Sequence, residues 1–166
     1  MKKTVSILLF ALMLFSSVAT AAEMDELTLA TSFIQYLKDW DSNVAEEYES
    51  MRSVMVNENT QVEDIVYTLG LVSDEVENIG LEHERMSIFV KEQLKQNSEL
   101  GTILQGAFHE MSLVYKLRVE MYRGFIEDYK NGETVSLNAI RDEEISTRLQ
   151  KIESALKQAI ELIGAL

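Results

Sequence analysis

The chain has 166 residues, no cysteine, no proline and a formal net charge of −13 at pH 7. Zero cysteines exclude a disulfide framework, and the acid excess argues against nucleic acid and anionic lipid as partners, because both repel it. One core can carry a chain of this length unaided, so a single domain is the expected count.

The first element is MKKTVSILLFALMLFSSVATAA. Lys2 and Lys3 form a basic start, Ile7 to Phe15 an uncharged apolar run, and Ala19-Thr20-Ala21 a small-residue cleavage site, the pattern of a secretory signal. The run is too short to span a bilayer, which takes about 20 residues, and no cysteine near the cleavage site offers a lipid anchor. The expectation is a cleaved signal peptide over residues 1–21, a mature domain over 22–166, and a periplasmic or secreted location. Without residues 1–21, 13 basic and 28 acidic residues remain, a net charge of −15. That charge suits solubility, cation binding or a basic partner.

Helical periodicity follows in four segments. Ala30, Phe33, Leu37, Trp40, Val44, Tyr48, Met51 and Met55 step by three or four. Ile65, Leu69, Val72, Val76, Ile79, Met86, Val90 and Leu94 continue the pattern, then Leu100, Leu104, Ala107, Met111, Val114, Met121 and Phe125. The last set is Ile145, Leu149, Ile152, Leu156, Ala159 and Ile163. Between the first two, Thr60 with Glu63 reads as a capping box. Asn97 ends the second segment and Ser98 caps the third, Asn131-Gly132 stops the third in a left-handed residue, and Ser136 can start the fourth. Gly70 and Gly80 are expected to weaken the second helix and mark a bend.

Short connections make neighbouring helices antiparallel. The sequence therefore predicts an all-α protein, an elongated up-down-up-down antiparallel four-helix bundle with helices near 24–57, 61–96, 99–130 and 136–165. At 1.5 Å per residue each helix is roughly 45–55 Å long.

Two histidines, His83 and His109, each precede a glutamate. At 100° per residue His83 falls on the apolar stripe of its helix, whereas His109 shares a face with polar residues, so the two do not form one site. Folding the second helix onto the third sets His83 level with Met111 and Ser112, with Met86 one turn away and Ile34 in the same layer. A neutral imidazole beside thioethers is a donor set for copper(I) or for a haem axial position. The simpler reading, and the preferred one, is a core histidine bonded to Ser112 or a carboxylate.

Arg118 is the second polar residue on a buried stripe. The same register gathers Trp40, Asp41, Glu75 and Arg148 around it, a polar core layer that could take an anion with Trp40 as an aromatic wall. An ion-pair layer that sets helix register is again the simpler and preferred reading.

Asp39, Asp41 and Asn43 match the first ligands of a calcium loop, but Val44 and Ser50 stand where that loop needs Gly and Glu, and the helical stripe runs straight through. Phe108, Tyr115, Tyr122 and Tyr129 recur every seven residues; they are expected to form a seam whose phenols reach the rim rather than a partner-binding groove. The methionines at 51, 55, 86, 111 and 121 read as core filler. Leu81 and Ile88 lie off the main stripe, as a dimer contact or as scattered exposed residues.

No haem-attachment motif, di-iron Glu-x-x-His, phosphate loop, zinc-protease motif or serine-hydrolase elbow occurs. Leu27-Thr28-Leu29-Ala30-Thr31 lacks the glutamine of the L-T-x-x-Q signature of helical periplasmic stress chaperones. The resulting expectation is an exported, non-enzymatic helical-bundle protein acting through protein–protein contacts, as adaptor, sensor or chaperone-like binder, with an unknown protein partner or with further copies of itself. The alternative is a haem- or copper-binding carrier using His83, Met86 and Met111.

Overall fold

Four α-helices make up the fold: α1 Glu26–Met55, α2 Val62–Gln93, α3 Ser98–Lys130 and α4 Ala139–Gly164. The structure is a computed structural model that describes residues 25–55, 60–133 and 139–165. The expected signal peptide and the cap at Ser136 lie outside the described residues. Helix packing fits a bundle: α2 and α3 make the most extensive pair, α4 packs on α3, and α1 lies against the other three.

Each helix boundary has a local cause. Asp25 opens α1, where its carboxylate accepts the Thr28 N–H (2.9 Å) and the Thr28 hydroxyl (2.8 Å). The Thr28 amide and then its hydroxyl hold the Asp25 carboxyl below the usual range. At α2 the expected Thr60 capping box is absent. Gln61 is the N-cap, in extended backbone and without a side-chain bond. Its carbonyl takes the amides of Asp64 and Ile65 (3.1 Å each), while Glu63 and Asp64 place negative charge against the helix N-terminus.

The α2–α3 turn departs further from expectation. α2 stops at Gln93 rather than Gln96, because fully buried Leu94 folds onto the first turn of α3. A methyl group on Gly101 would lie only 3.2–3.3 Å from the Leu94 carbonyl oxygen and Cβ. Asn97 is the N-cap of α3 but makes no side-chain cap of its own. Glu26 of α1 supplies the acceptors instead. Its carboxylate takes the Gln96 N–H (3.0 Å), the Asn97 N–H (3.0 Å) and the Asn97 side-chain amide (2.9 Å). Desolvation pushes the Glu26 carboxyl upward, but the three hydrogen bonds together outweigh it and hold the pKa below its ordinary value. At the far end of α3, Gly132 takes the left-handed φ of +71° that stops a helix, as the sequence suggests.

Gly80 lies at the contact with α3. A Cβ there would sit 3.0 Å from Tyr115 Cβ and 3.7 Å from the Ser112 carbonyl oxygen. The missing side chain is therefore what lets α2 and α3 approach so closely. Ion pairs Glu84–Lys116 (3.2 Å) and Glu77–Arg123 (2.8 Å) flank this contact on the exposed side. The paired numbers fall along α2 as they rise along α3, so contacts run in opposite order on the two helices. α1 contributes Ala30, Phe33, Ile34, Tyr36, Leu37 and Trp40 to the core, and α4 contributes Ile152, Leu156 and Ala159.

The two helical glycines of α2 should respond oppositely to alanine. A Cβ on Gly70 would meet nothing within 4 Å, so Gly70→Ala should stabilise by about 0.5–1 kcal/mol through helix propensity. Gly80→Ala meets a β-carbon fixed to the facing backbone and should destabilise by about 1–3 kcal/mol. Urea unfolding of the two variants measures this; stabilisation at both positions would refute the close approach.

Candidate functional site

The most enclosed polar group on α2 is His83, which has no solvent exposure. Aromatic rings from two other helices surround it: Trp40 at 5.4 Å and Tyr36 at 5.7 Å from α1, Tyr115 at 5.3 Å and Phe108 at 6.0 Å from α3. Trp40 meets the imidazole edge-on, whereas the other three rings are tilted against it. Phe33 extends the cluster edge-on to Phe108 and to Phe89.

His83 Nδ1 lies 2.9 Å from the Ile79 carbonyl oxygen of its own helix. A carbonyl only accepts, so Nδ1 carries the proton and Nε2 presents a lone pair. Nε2 is buried and has no hydrogen-bond partner among the described residues. The expected partner, Ser112, is buried but donates to the His109 carbonyl (2.7 Å) instead. Burial pushes the His83 pKa down to about 4, with the Ile79 bond opposing only in part. The ring is thus neutral at pH 7.

Met86 and Met111 are both buried, on α2 and α3 as the sequence register requires. Tyr36 and Trp40 are the α1 residues whose rings meet His83, and Ile34 is buried in the same core. His109 is exposed, so the two histidines are separate. No cluster of three His, Cys, Asp or Glu side chains with metal-ligand spacing occurs among the described residues.

Arg118 is 1% exposed, buried on the stripe as its position indicates. Its Nη2 donates to the Tyr122 hydroxyl (2.8 Å), and the guanidinium carbon lies 5.9 Å from the Tyr115 ring centre and 5.7 Å from that of Tyr122. Of the five residues expected in one polar layer, Arg148 and Glu75 are found elsewhere. Arg148 faces Glu110 of α3 and Glu144 of its own helix (2.8 Å each), and Lys151 also reaches Glu110 (3.5 Å). The Glu144 hydrogen bond leads the contacts that raise the Arg148 pKa. Glu75 is exposed, Trp40 belongs to the His83 cluster, and the Asp41 side chain lies outside the described residues. Ions of the α3–α4 seam and the arginine of the core are separate features. The register that brings Arg148 to Glu110 differs by eight residues of α3, about two turns, from the one that would set it beside Arg118, and periodicity alone does not choose between them.

The aromatic ladder is also deeper than expected. Phe108, Tyr115 and Tyr122 are fully buried, and only Tyr129 is part-exposed. Its rings build the core and do not line the rim. α1 runs without interruption through the calcium-loop-like segment, where Asp39 accepts a hydrogen bond from Gln35 (2.8 Å).

Outside the core, large exposed apolar side chains gather on α2: Tyr67 (69% exposed), Leu71 (55%), Leu81 (43%) and Ile88 (58%). Tyr67 and Leu71 join the two positions that periodicity already marks. Beside Leu81 a shallow groove of about 210 Å³ runs between α2 and α3, lined by Glu77, Gly80, Lys116, Val119 and Arg123 among others. No described helix is long and apolar enough to cross a membrane. No family, curated protein or solved structure matches the chain.

A depressed histidine pKa makes stability depend on pH in one direction. The unfolded state binds the proton near pH 6.5 and the folded state only near pH 4, so this contribution is complete above pH 6.5 and is lost as pH falls towards 4. At 1.36 kcal/mol per pH unit, wild type should lose about 2 kcal/mol between pH 7 and pH 5 through this group. His83→Phe should lack that component. Urea midpoints at the two pH values, wild type against variant, check it; parallel curves would mean His83 is not held neutral.

Proposed function

We propose that the protein is an exported, non-enzymatic helical-bundle protein that acts through protein–protein contacts. In this reading residues 1–21 are removed on export to the periplasm or medium, and residues 22–166 form one elongated up-down-up-down antiparallel bundle. Contact order along α2 and α3 supports an antiparallel pair, and the rising order in which α1 residues 33, 36 and 40 meet α3 residues 108 and 115 supports α1 running parallel to α3, as an up-down-up order requires. The observation that carries the function is the exposed apolar face of α2. Four of the six large exposed apolar residues among those described fall on that one helix face, where scattered positions are the ordinary finding. The titratable groups that line the groove beside Leu81 include Glu77 and Arg123, paired with each other, and Lys116, paired with Glu84, all on the exposed side of the α2–α3 contact.

The test is photocrosslinking in the native host, with a photoreactive residue at Leu71 or Ile88 on α2 and at Ile160 on α4. Defined adducts with another protein from the α2 positions are expected. Absence of adducts from every exposed position would end the protein-contact reading.

A carrier function is the second reading, favoured by the lone pair on His83 Nε2 and the burial of Met86 and Met111. Against it stands the closed aromatic shell, since copper or haem would have to displace Trp40, Tyr36 or Tyr115 to reach Nε2. Titration with copper(I) and with haemin is expected to give no one-to-one complex; a stoichiometric complex that His83→Phe abolishes would establish the carrier.

A further inference from the structure

We propose that the outer face of α2 docks an amphipathic helical segment of another protein, apolar on one side and flanked by lysine or arginine. The inference rests on the protein-contact reading above and gives the partner its chemistry. At 100° per residue Tyr67, Leu71, Leu81 and Ile88 fall within an arc of roughly 100°. From Tyr67 to Ile88 they extend over roughly 32 Å of helix, the reach of a partner helix of about 20 residues. Such a helix presents apolar side chains at intervals of three, four and seven residues; the row itself steps by four, ten and seven, with Asp74 and Asn78 on the same face in the ten-residue gap.

Midway along the row lies the groove beside Leu81. It opens between the ion pairs Glu77–Arg123 and Glu84–Lys116, with Gly80 and Val119 in its lining. An apolar side chain of the partner can seat there between two charged rims, the arrangement of an interface anchor in a water-excluding ring.

Charge selects among occupants. Asp64, Glu75 and Glu82 flank the row on one side, Glu63, Asp74 and Glu92 stand within its arc, and Arg85 is the one base among them, between Leu81 and Ile88. A second copy would oppose these carboxylates with its own, because a two-fold contact sets the same patch against itself. An anionic lipid surface is repelled for the same reason. A helix carrying cations beside its apolar strip matches the apolar row and these carboxylates together.

The probe is a 21-residue peptide with leucine on one helical face and lysine elsewhere; its control replaces every lysine with glutamate. Fluorescence anisotropy should show the lysine peptide binding the mature protein and the glutamate peptide not binding. Raising salt from 50 to 500 mM should weaken the complex about tenfold, and Leu81→Gln/Ile88→Gln should weaken it about tenfold or more. Ile160→Gln, an equally exposed apolar position on α4, should leave it unchanged. Because all three positions are exposed, each variant should melt with wild type by circular dichroism, which separates lost docking from lost folding.

Binding of both peptides alike, or binding that the α2 variants leave intact, overturns the proposal. So does a homodimer in ultracentrifugation that Leu81→Gln/Ile88→Gln dissolves, or capture by phosphatidylglycerol vesicles that those substitutions abolish. Crosslinks from Ile160 with none from α2 would end this docking face while leaving the protein-contact reading standing.

Discussion

The fold depends on how closely α2 can approach α3, and that approach is set by small residues facing large ones. Gly80 meets the β-carbon of Tyr115. Carried along the two helices, the same register sets Ser73 level with Tyr122 and Ser87 level with Phe108, each pair one heptad from the next. At the turn the sizes invert, with Leu94 against Gly101. Small residues on α2 bring the backbones together, while the rings of α3 fill the space on either side of that contact. Dispersion falls steeply with separation, so even a one-carbon obstruction in this row is felt along the whole pair.

Close pairing also explains the composition of the core around it. Once the rings of Phe108 and Tyr115 are drawn inward, α1 must cover them with surfaces of matching shape, and it does so with Phe33, Tyr36 and Trp40. His83 occupies the centre of this cluster as one more flat ring. Its backbone bond to Ile79 settles one nitrogen, and burial settles the charge. Arg118 is accommodated by similar means, its guanidinium lying near two rings of the ladder and its Nη2 bonded to Tyr122. Aromatic surface thus lies against both of these buried polar side chains. The carboxylate that closes the α2–α3 turn comes from α1, so Glu26 ties the first helix to the tightly paired two at their shared end.

Helix number, approximate limits and the buried stripes were legible because a period of 3.6 residues is written directly into apolar spacing. Burial of His83 and Arg118 followed from the same rule. Three things were not legible, for different reasons. Caps failed because Thr60 and Ser98 are good cap residues by type, yet the chain satisfies those termini through the Gln61 carbonyl and through Glu26, some 70 residues distant from the amides it accepts. Arg148 and Glu75 were misplaced beside Arg118 because periodicity defines a face but not the axial register between helices, and an error of about two turns moves Arg148 from the core arginine to Glu110. Gly80 reads as a weak point only while propensity is applied to one helix alone. The signal that corrects it, Ser73-Gly80-Ser87 repeating in step with Tyr122-Tyr115-Phe108, lies in the sequence but becomes readable only when two helices are compared.

α2 therefore presents two faces of different character. Its small-residue row lies roughly 120–160° around the helix from Tyr67, and the exposed row clusters within about 60° of Tyr67. Substitution on the inner row changes the spacing of helices, whereas substitution on the outer row meets only solvent or a partner. Acidic side chains are placed accordingly. Where they face another helix of the same chain they are matched by Arg123, Lys116, Arg148 and Lys151, and on the outer margins of α2 they far outnumber the bases. A charge imbalance of that kind adds repulsion within the folded chain. It is concentrated beside exposed apolar side chains, which by themselves would favour association with any apolar surface. The two properties act in different ways: the apolar row favours association, and the carboxylates beside it oppose the approach of a negatively charged surface.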